Sequence, residues 1–138
     1  MRPICSVTLA RFLGAGVCLL AGALSASAHH SVEGVFDAKK DMIVTGTISK
    51  LEWINPHIFV WLDVQDPNGL VSQYSFETLP PAMLRRAGVT KEALLGGNDV
   101  GQVVTVQANP ARQNPRGGWI TRITYSDGHF YQLSAVTQ

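Results

Sequence analysis

Residues 42–64, MIVTGTISKLEWINPHIFVWLDV, contain the two strand patterns that decide the fold of this chain. Apolar residues alternate along residues 42–48 and then continue on the opposite parity at Leu51 and Trp53. A change of phase by one residue within a strand is typical of a β-bulge, and Gly46 permits a sharp bend. The pattern therefore predicts a long, bent first strand of the kind found in small barrels.

A second strand is predicted over residues 57–64, after an Asn55-Pro56 corner where proline cannot donate to a β-ladder. Successive side chains of a strand point to opposite faces. One face is uniformly aliphatic and is predicted to be the core face, with Ile58, Val60, Leu62 and Val64. The outer face carries His57, Phe59, Trp61 and Asp63.

The rest of the chain predicts further strands and one helical segment. Residues 66–69, DPNG, are typical of a type I turn hairpin that leads to a third strand over residues 71–78. Pro80-Pro81 opens a short helix, and Thr90 can cap a second helical turn. Further strands are predicted over residues 102–108, 119–125 and 129–134, with a loop over residues 109–118.

This order of elements predicts the fold class. Three meandering strands, a helical segment and then two or three strands follow the order of an OB-type barrel. We therefore predict a mainly β protein, a small OB-like barrel of five to six strands with a short helical segment between strands 3 and 4. Another small α+β fold or a β-sandwich is the alternative.

The first 28 residues have the three parts of a secretory signal peptide. Arg2 and Arg11 are their only charges, residues 12–24 are apolar, and Ala26-Ser27-Ala28 supplies the small residues that a signal peptidase requires. An apolar helix of this length rises about 20 Å, which is short of a bilayer core of about 30 Å. We expect cleavage after Ala28, a periplasmic location and no stable membrane insertion, with an N-terminal membrane anchor as the alternative.

The predicted organisation is therefore a cleaved signal peptide (1–28), an extended N-terminal arm (29–41) and a single β-barrel domain (42–138). Both cysteines, Cys5 and Cys18, lie in the leader, so the mature chain forms no disulfide. Removing the two leader arginines leaves nine basic residues against ten acidic ones, a net charge of −1 with neutral histidines. This balance argues against a nucleic-acid partner, which favours a strongly basic surface.

The histidines carry the clearest chemical signal, because common catalytic motifs such as G-x-S-x-G, H-E-x-x-H and C-x-x-C do not occur in the sequence. The sequence thus argues against an enzyme of a common class. Cleavage after Ala28 would place His29 and His30 at a free amino terminus. An amine (pKa about 7.7–8.0) and an imidazole (about 6.5) both lose their protons readily at neutral pH. With His57 as a third nitrogen donor, the predicted site suits Cu(II).

Alternatives to this copper site remain. The amine, amide and ring of the first two residues can bind copper through His30 without His57. The two terminal histidines can equally be solvated, and His57 can simply hydrogen-bond across its turn. His129 follows Asp127-Gly128 and is assigned to an ordinary turn.

The outer face of the second strand predicts a second kind of site. In OB barrels, strands 2 and 3 and the loop between strands 4 and 5 form the usual ligand surface. Phe59 and Trp61 lie on that face, and Arg112 and Arg116 lie in that loop. Aromatic and arginine side chains together suit a glycan, a base, a peptide or a protein partner. The alternative is a second core face covered by the arm or the helix.

Several of these stretches also resemble a family of small secreted bacterial proteins, the domain of unknown function 6152. They are His29-His30-Ser31, residues 52–57 (EWINPH), Pro81-x-x-Leu84 with Gly88, Leu95-Gly96, and residues 109–112 (NPAR). The resemblance implies an envelope location in Gram-negative bacteria, and it implies no activity.

Overall fold

The computed structural model describes residues 32–97 and 99–133. The predicted signal peptide, His29 and His30 lie outside these residues. In chain order the elements are α1 (Val32–Val35), β1 (Met42–Glu52), β2 (Ile58–Gln65), β3 (Val71–Thr78), α2 (Pro81–Arg86), α3 (Lys91–Leu94), β4 (Val103–Pro110), β5 (Gly117–Tyr125) and β6 (Phe130–Gln132).

The strands form one sheet in the order β3-β2-β1-β4-β5-β6, which closes into a barrel where β3 pairs with β5. That closing pair is parallel, and the other strand pairs are antiparallel. β6 lies outside the five-stranded barrel and pairs with the end of β5. The predicted mainly β, OB-like barrel with helices between strands 3 and 4 is confirmed.

The phase change predicted in the first strand is a bulge. The register of β1 against β2 shifts between Ile48 and Lys50. Two residues before this shift, β1 and β2 approach closely. A Cβ atom at Gly46 would lie 2.8 Å from the Asp63 carbonyl oxygen and 2.9 Å from a methyl group of Val64. Glycine is therefore required at position 46 because any side chain there would clash with β2.

The barrel interior is built from the aliphatic face that the sequence predicts. Ile58, Val60 and Leu62 are fully buried, and Val64 is half-buried. They belong to a core to which the other strands and both α2 and α3 contribute. Its largest other fully buried members are Ile48, Phe76, Leu84, Leu94, Ile120, Ile123 and Leu133. Burial of this apolar surface is the main force that holds the barrel together.

The boundaries of two predicted segments differ from the structure. The loop between the fourth and fifth strands is shorter than predicted, because pairing continues to the Pro110–Gly118 pair. Within the arm, predicted to be extended, Val32–Val35 forms one helical turn in which the Phe36 amide donates to the Val32 carbonyl at 2.9 Å. This turn precedes Phe36, which is only 4% exposed and forms a bridge with Ala111.

The arm is also hydrogen-bonded to the barrel on both sides of Phe36. The Arg112 amide donates to the Val35 carbonyl, and the Asp37 amide donates to the Pro110 carbonyl, both at 2.9 Å. The described part of the arm therefore packs along the loop between β4 and β5, next to the surface on which OB barrels bind ligands.

Candidate functional site

Strand pairing defines which residues share the outer face of the barrel. Residues paired across antiparallel strands point to the same side of a sheet. Phe59 pairs with Glu77 of β3, and Trp61 pairs with Ser75 of β3. On the other side of β2, Trp61 pairs with Lys50 of β1. The predicted outer face is thus an aromatic centre flanked by polar and charged residues of both neighbouring strands.

Phe59 and Trp61 form a stacked aromatic pair on this face. Their ring centroids lie 5.6 Å apart with an interplanar angle of 29°. Both side chains are half-buried, and the Lys50 ammonium lies 4.5 Å from the centre of the Trp61 ring. This distance is typical of a cation–π contact. The aromatic pair is therefore held in place and is still partly accessible to a ligand.

His57 lies at the start of this face, between Glu77 and Trp119. Its Nδ1 is 3.1 Å from a carboxylate oxygen of Glu77, and its ring meets the Trp119 ring edge-on with centroids 5.0 Å apart. An ionised carboxylate only accepts hydrogen bonds, so Nδ1 carries the proton. In the neutral ring, the lone pair is consequently on Nε2, and the side chain is 30% exposed. His57 is thus a fixed imidazole with one nitrogen available as a ligand.

Trp119 connects this histidine to the N-terminal arm. The ring of Phe36 packs on Trp119 with centroids 5.6 Å apart, and Trp119 is 7% exposed. The arm therefore covers the Trp119 end of the outer face, whereas the aromatic pair stays half-exposed. The sequence leaves two alternatives open, a covered outer face and an accessible one. The arm covers the face at Trp119, whereas Phe59 and Trp61 stay partly exposed.

The two predicted loop arginines differ in their surroundings. Arg112 fixes the arm: its Nε donates to the Glu33 carbonyl at 3.4 Å, and its guanidinium lies 3.8 Å from the Asp37 carboxylate. Burial raises the pKa of Asp37, but a backbone hydrogen bond at Lys39, the charge of Arg112 and the hydrogen bond and charge of Lys40 together bring it below its usual value. Arg116 is exposed, and its carbonyl accepts a hydrogen bond from the Ser75 amide.

A cavity of about 290 Å³ lies between the arm, β3 and the loop that joins β4 to β5. Arg112 lines it, whereas Phe59, Trp61 and Arg116 are not among its lining residues. Its walls are formed by residues 34–36, Ser75, Glu77, residues 111–114, Gly117 and Gly118. Glu77 therefore contacts both His57 and the cavity, and the sequence reasoning did not single out this residue.

The described part of the chain holds no complete metal site and no membrane-spanning helix. Among residues 32–97 and 99–133, no three or more histidine, cysteine, aspartate or glutamate side chains are grouped so that they could hold a metal ion. Within the same residues, no helix has the length and apolar character needed to cross a bilayer. Of the three predicted copper ligands, only His57 lies within the described structure.

Comparison with known families identifies the chain. The model of a family of unknown function, DUF6152, matches residues 16–121. The chain belongs to this family. The resemblance inferred from the sequence is thereby confirmed, and the match includes His29, His30, the EWINPH stretch and the NPAR stretch of this DUF6152 protein. Searches of curated proteins and of solved structures give no match.

Proposed function

We propose that this DUF6152 protein is exported to the periplasm and acts there as a copper-binding or accessory protein, with His29, His30 and His57 as ligands. The observation that carries the proposal is the fixed orientation of His57. Its Nδ1 donates to Glu77 at 3.1 Å, which leaves the Nε2 lone pair for a metal. Histidines that bind metals in proteins commonly donate their other ring nitrogen to a carboxylate in this way.

The length of the arm supports a shared site. Seven residues lead from His29 to Phe36, and an extended chain spans about 3.3–3.6 Å per residue, or roughly 25 Å in total. Phe36 packs on Trp119, and the Trp119 ring contacts His57. A chain tethered at Phe36 is therefore long enough for a terminal histidine to reach His57.

The donor set supports copper as the metal. In the proposed site the amine and ring of His29 form one chelate, and His57 supplies a third nitrogen. Nitrogen donors in a tetragonal arrangement suit Cu(II), which is also the tightest binder among the divalent first-row metals. The alternative donor set is a chelate formed by the terminal amine of His29 together with the amide and the ring of His30. This chelate does not need His57.

Titration of the processed protein with Cu(II), followed by electron paramagnetic resonance, tests this proposal. Mass spectrometry first establishes that the chain begins at His29. We expect one copper per chain with three nitrogen donors, and His57→Ala should lose one of them. Glu77→Gln should weaken binding by about 10–100-fold, because the ring loses the carboxylate that orients it.

His129→Ala is the matched control for these variants. His129 is a partly exposed histidine that also faces a carboxylate, that of Asp127, but it lies in the turn before β6. Copper binding should not change in this variant. Unchanged binding in His57→Ala would remove His57 from the site, and a chain that begins at another residue would contradict the amine chelate.

The aromatic pair favours a second candidate function, a metal-free OB-like module that binds a glycan, a peptide or a protein partner. Phe59 and Trp61 remain half-exposed although the arm covers the neighbouring Trp119. Trp61→Ala should keep the barrel folded and abolish capture of the partner from an envelope extract. Phe130→Ala, which truncates an exposed aromatic residue on β6, is the control and should retain capture. Capture that survives in Trp61→Ala would contradict this function.

A further inference from the structure

The charged groups that line the cavity beside α1 already have partners within the protein. Glu77 accepts from His57 Nδ1. Arg112 lies 3.8 Å from the Asp37 carboxylate and donates to the Glu33 carbonyl. A strongly charged ligand would have to give up its hydration without a free opposite charge to compensate. The cavity is therefore matched to a ligand without net charge.

The polar groups of the cavity combine hydrogen-bond donors and acceptors. Arg112 offers only donors and Glu77 only acceptors, whereas Ser75 and Gln113 offer both. The side-chain oxygen of Asn114 accepts from the Arg116 amide, so its amide nitrogen is directed elsewhere as a donor. A hydroxyl group is itself a donor and an acceptor, and several adjacent hydroxyls would match this mixed lining.

The remaining walls are apolar, and the cavity lies on the same face of the barrel as the aromatic pair. Val35, Phe36 and Ala111 line the cavity. Ser75 pairs with Trp61 across the sheet, so the cavity and the aromatic pair share the outer face. A volume of about 290 Å³ is near the lower end of the range of small-molecule sites. A sugar ring has an apolar C–H face, which matches the apolar walls, and a rim of hydroxyl groups, which matches the mixed donors and acceptors.

We infer that this cavity binds the end of a neutral saccharide, and that the aromatic pair provides the adjoining surface for the next ring. The inference names the ligand class of the second candidate function and therefore rests on that function. It does not require copper, because His57, the one proposed copper ligand within the described residues, is not among the residues that line the cavity.

NMR titration of the ¹⁵N-labelled processed protein tests the inference. N-acetylglucosamine, maltose and chitotriose are the neutral probes, with glucose 6-phosphate and trialanine as charged and peptide comparisons. We expect saturable shifts of the Ala111, Arg112, Gly117 and Gly118 amides with the neutral saccharides. Gln113→Ala should weaken this binding by about fivefold, the effect of one lost neutral hydrogen bond. Gln107→Ala, an exposed glutamine on β4, should leave it unchanged.

Three results would overturn the inference. Tighter binding of trialanine or glucose 6-phosphate than of every neutral saccharide at these amides would show that the ligand class is wrong. Saccharide shifts confined to Phe59 and Trp61 would exclude the cavity but leave the outer-face function standing. If no probe shifts any amide, the inference fails, and if capture also survives in Trp61→Ala, the second candidate function fails with it.

Discussion

Replacing Phe76 with alanine should lower the free energy of unfolding by about 3–5 kcal/mol, the usual cost of truncating a buried phenylalanine. Phe76 is fully buried on β3. It pairs with Val60 of β2 on one side and with Gly118 of β5 on the other. The side chain therefore lies where the barrel closes, and the neighbouring strands cannot collapse into the space without breaking their pairing.

Urea unfolding followed by circular dichroism measures this effect. Val71→Thr is the control on the same strand: Val71 is 55% exposed, and threonine keeps the β-branched shape, so the change should stay within about 0.5 kcal/mol. A loss below about 1 kcal/mol in Phe76→Ala would fall outside the range for a buried phenylalanine. That result would contradict the description of Phe76 as part of the closed core.

Replacing Phe36 with alanine should release the N-terminal arm from the barrel and cost about 1.5–3 kcal/mol, the burial free energy of one such side chain. Among the described residues of the arm, Phe36 is the buried one, and it packs on Trp119. Without this anchor, the arm is no longer held against Trp119, the ring that contacts His57. Copper bound by the processed variant should then lose the nitrogen of His57 and keep only donors from the N-terminus.

Hydrogen exchange measures release of the arm without requiring copper. The amides of Asp37 and Arg112 are protected by hydrogen bonds between the arm and the barrel, so both should exchange faster in Phe36→Ala. The amide of Val106, buried in β4, should keep its protection. Val35→Ala is the control, because Val35 is 44% exposed and contributes its hydrogen bond through the backbone. Unchanged exchange at Asp37 and Arg112 would show that Phe36 does not anchor the arm.

Much of the barrel could be predicted because alternation and turn residues are local signals. The third strand, Val71–Thr78, has the predicted bounds. The hairpin before it is closed by hydrogen bonds between Asp66 and Leu70, and Gly69 adopts a positive φ of 85°. The Thr90 side chain caps α3 as expected, accepting from the Ala93 amide at 3.1 Å. Each of these features depends on residues that are close in sequence.

The features that were missed depend on contacts between distant parts of the chain. Glu77 meets His57 because β2 and β3 pair in one particular register, which the sequence pattern alone does not specify. The cavity requires both the parallel pairing of β3 with β5 and the docking of the arm. The helical turn of the arm is only four residues long and carries no periodic pattern that would have predicted it.

The predicted site likewise combines features that depend on residues close in sequence with features that depend on contacts between distant strands. The corner at Asn55-Pro56 and the alternation of β2 were sufficient to predict that His57 lies on the outer face. Its partners, Glu77 and Trp119, come from β3 and β5. These partners turn an isolated histidine into an oriented one, and they are the reason that His57 stands out as a candidate metal ligand.

Paramagnetic broadening by copper tests the proposed shared site most directly. Substoichiometric Cu(II) is added to the ¹⁵N-labelled processed protein, and the loss of amide signals is recorded along the chain. If the terminal histidines and His57 bind one ion, the signals of His57, Glu77 and Trp119 should disappear together with those of the first residues. Loss restricted to residues before Val32, with the His57 and Trp119 signals unchanged, would contradict a site that joins the N-terminus to the barrel.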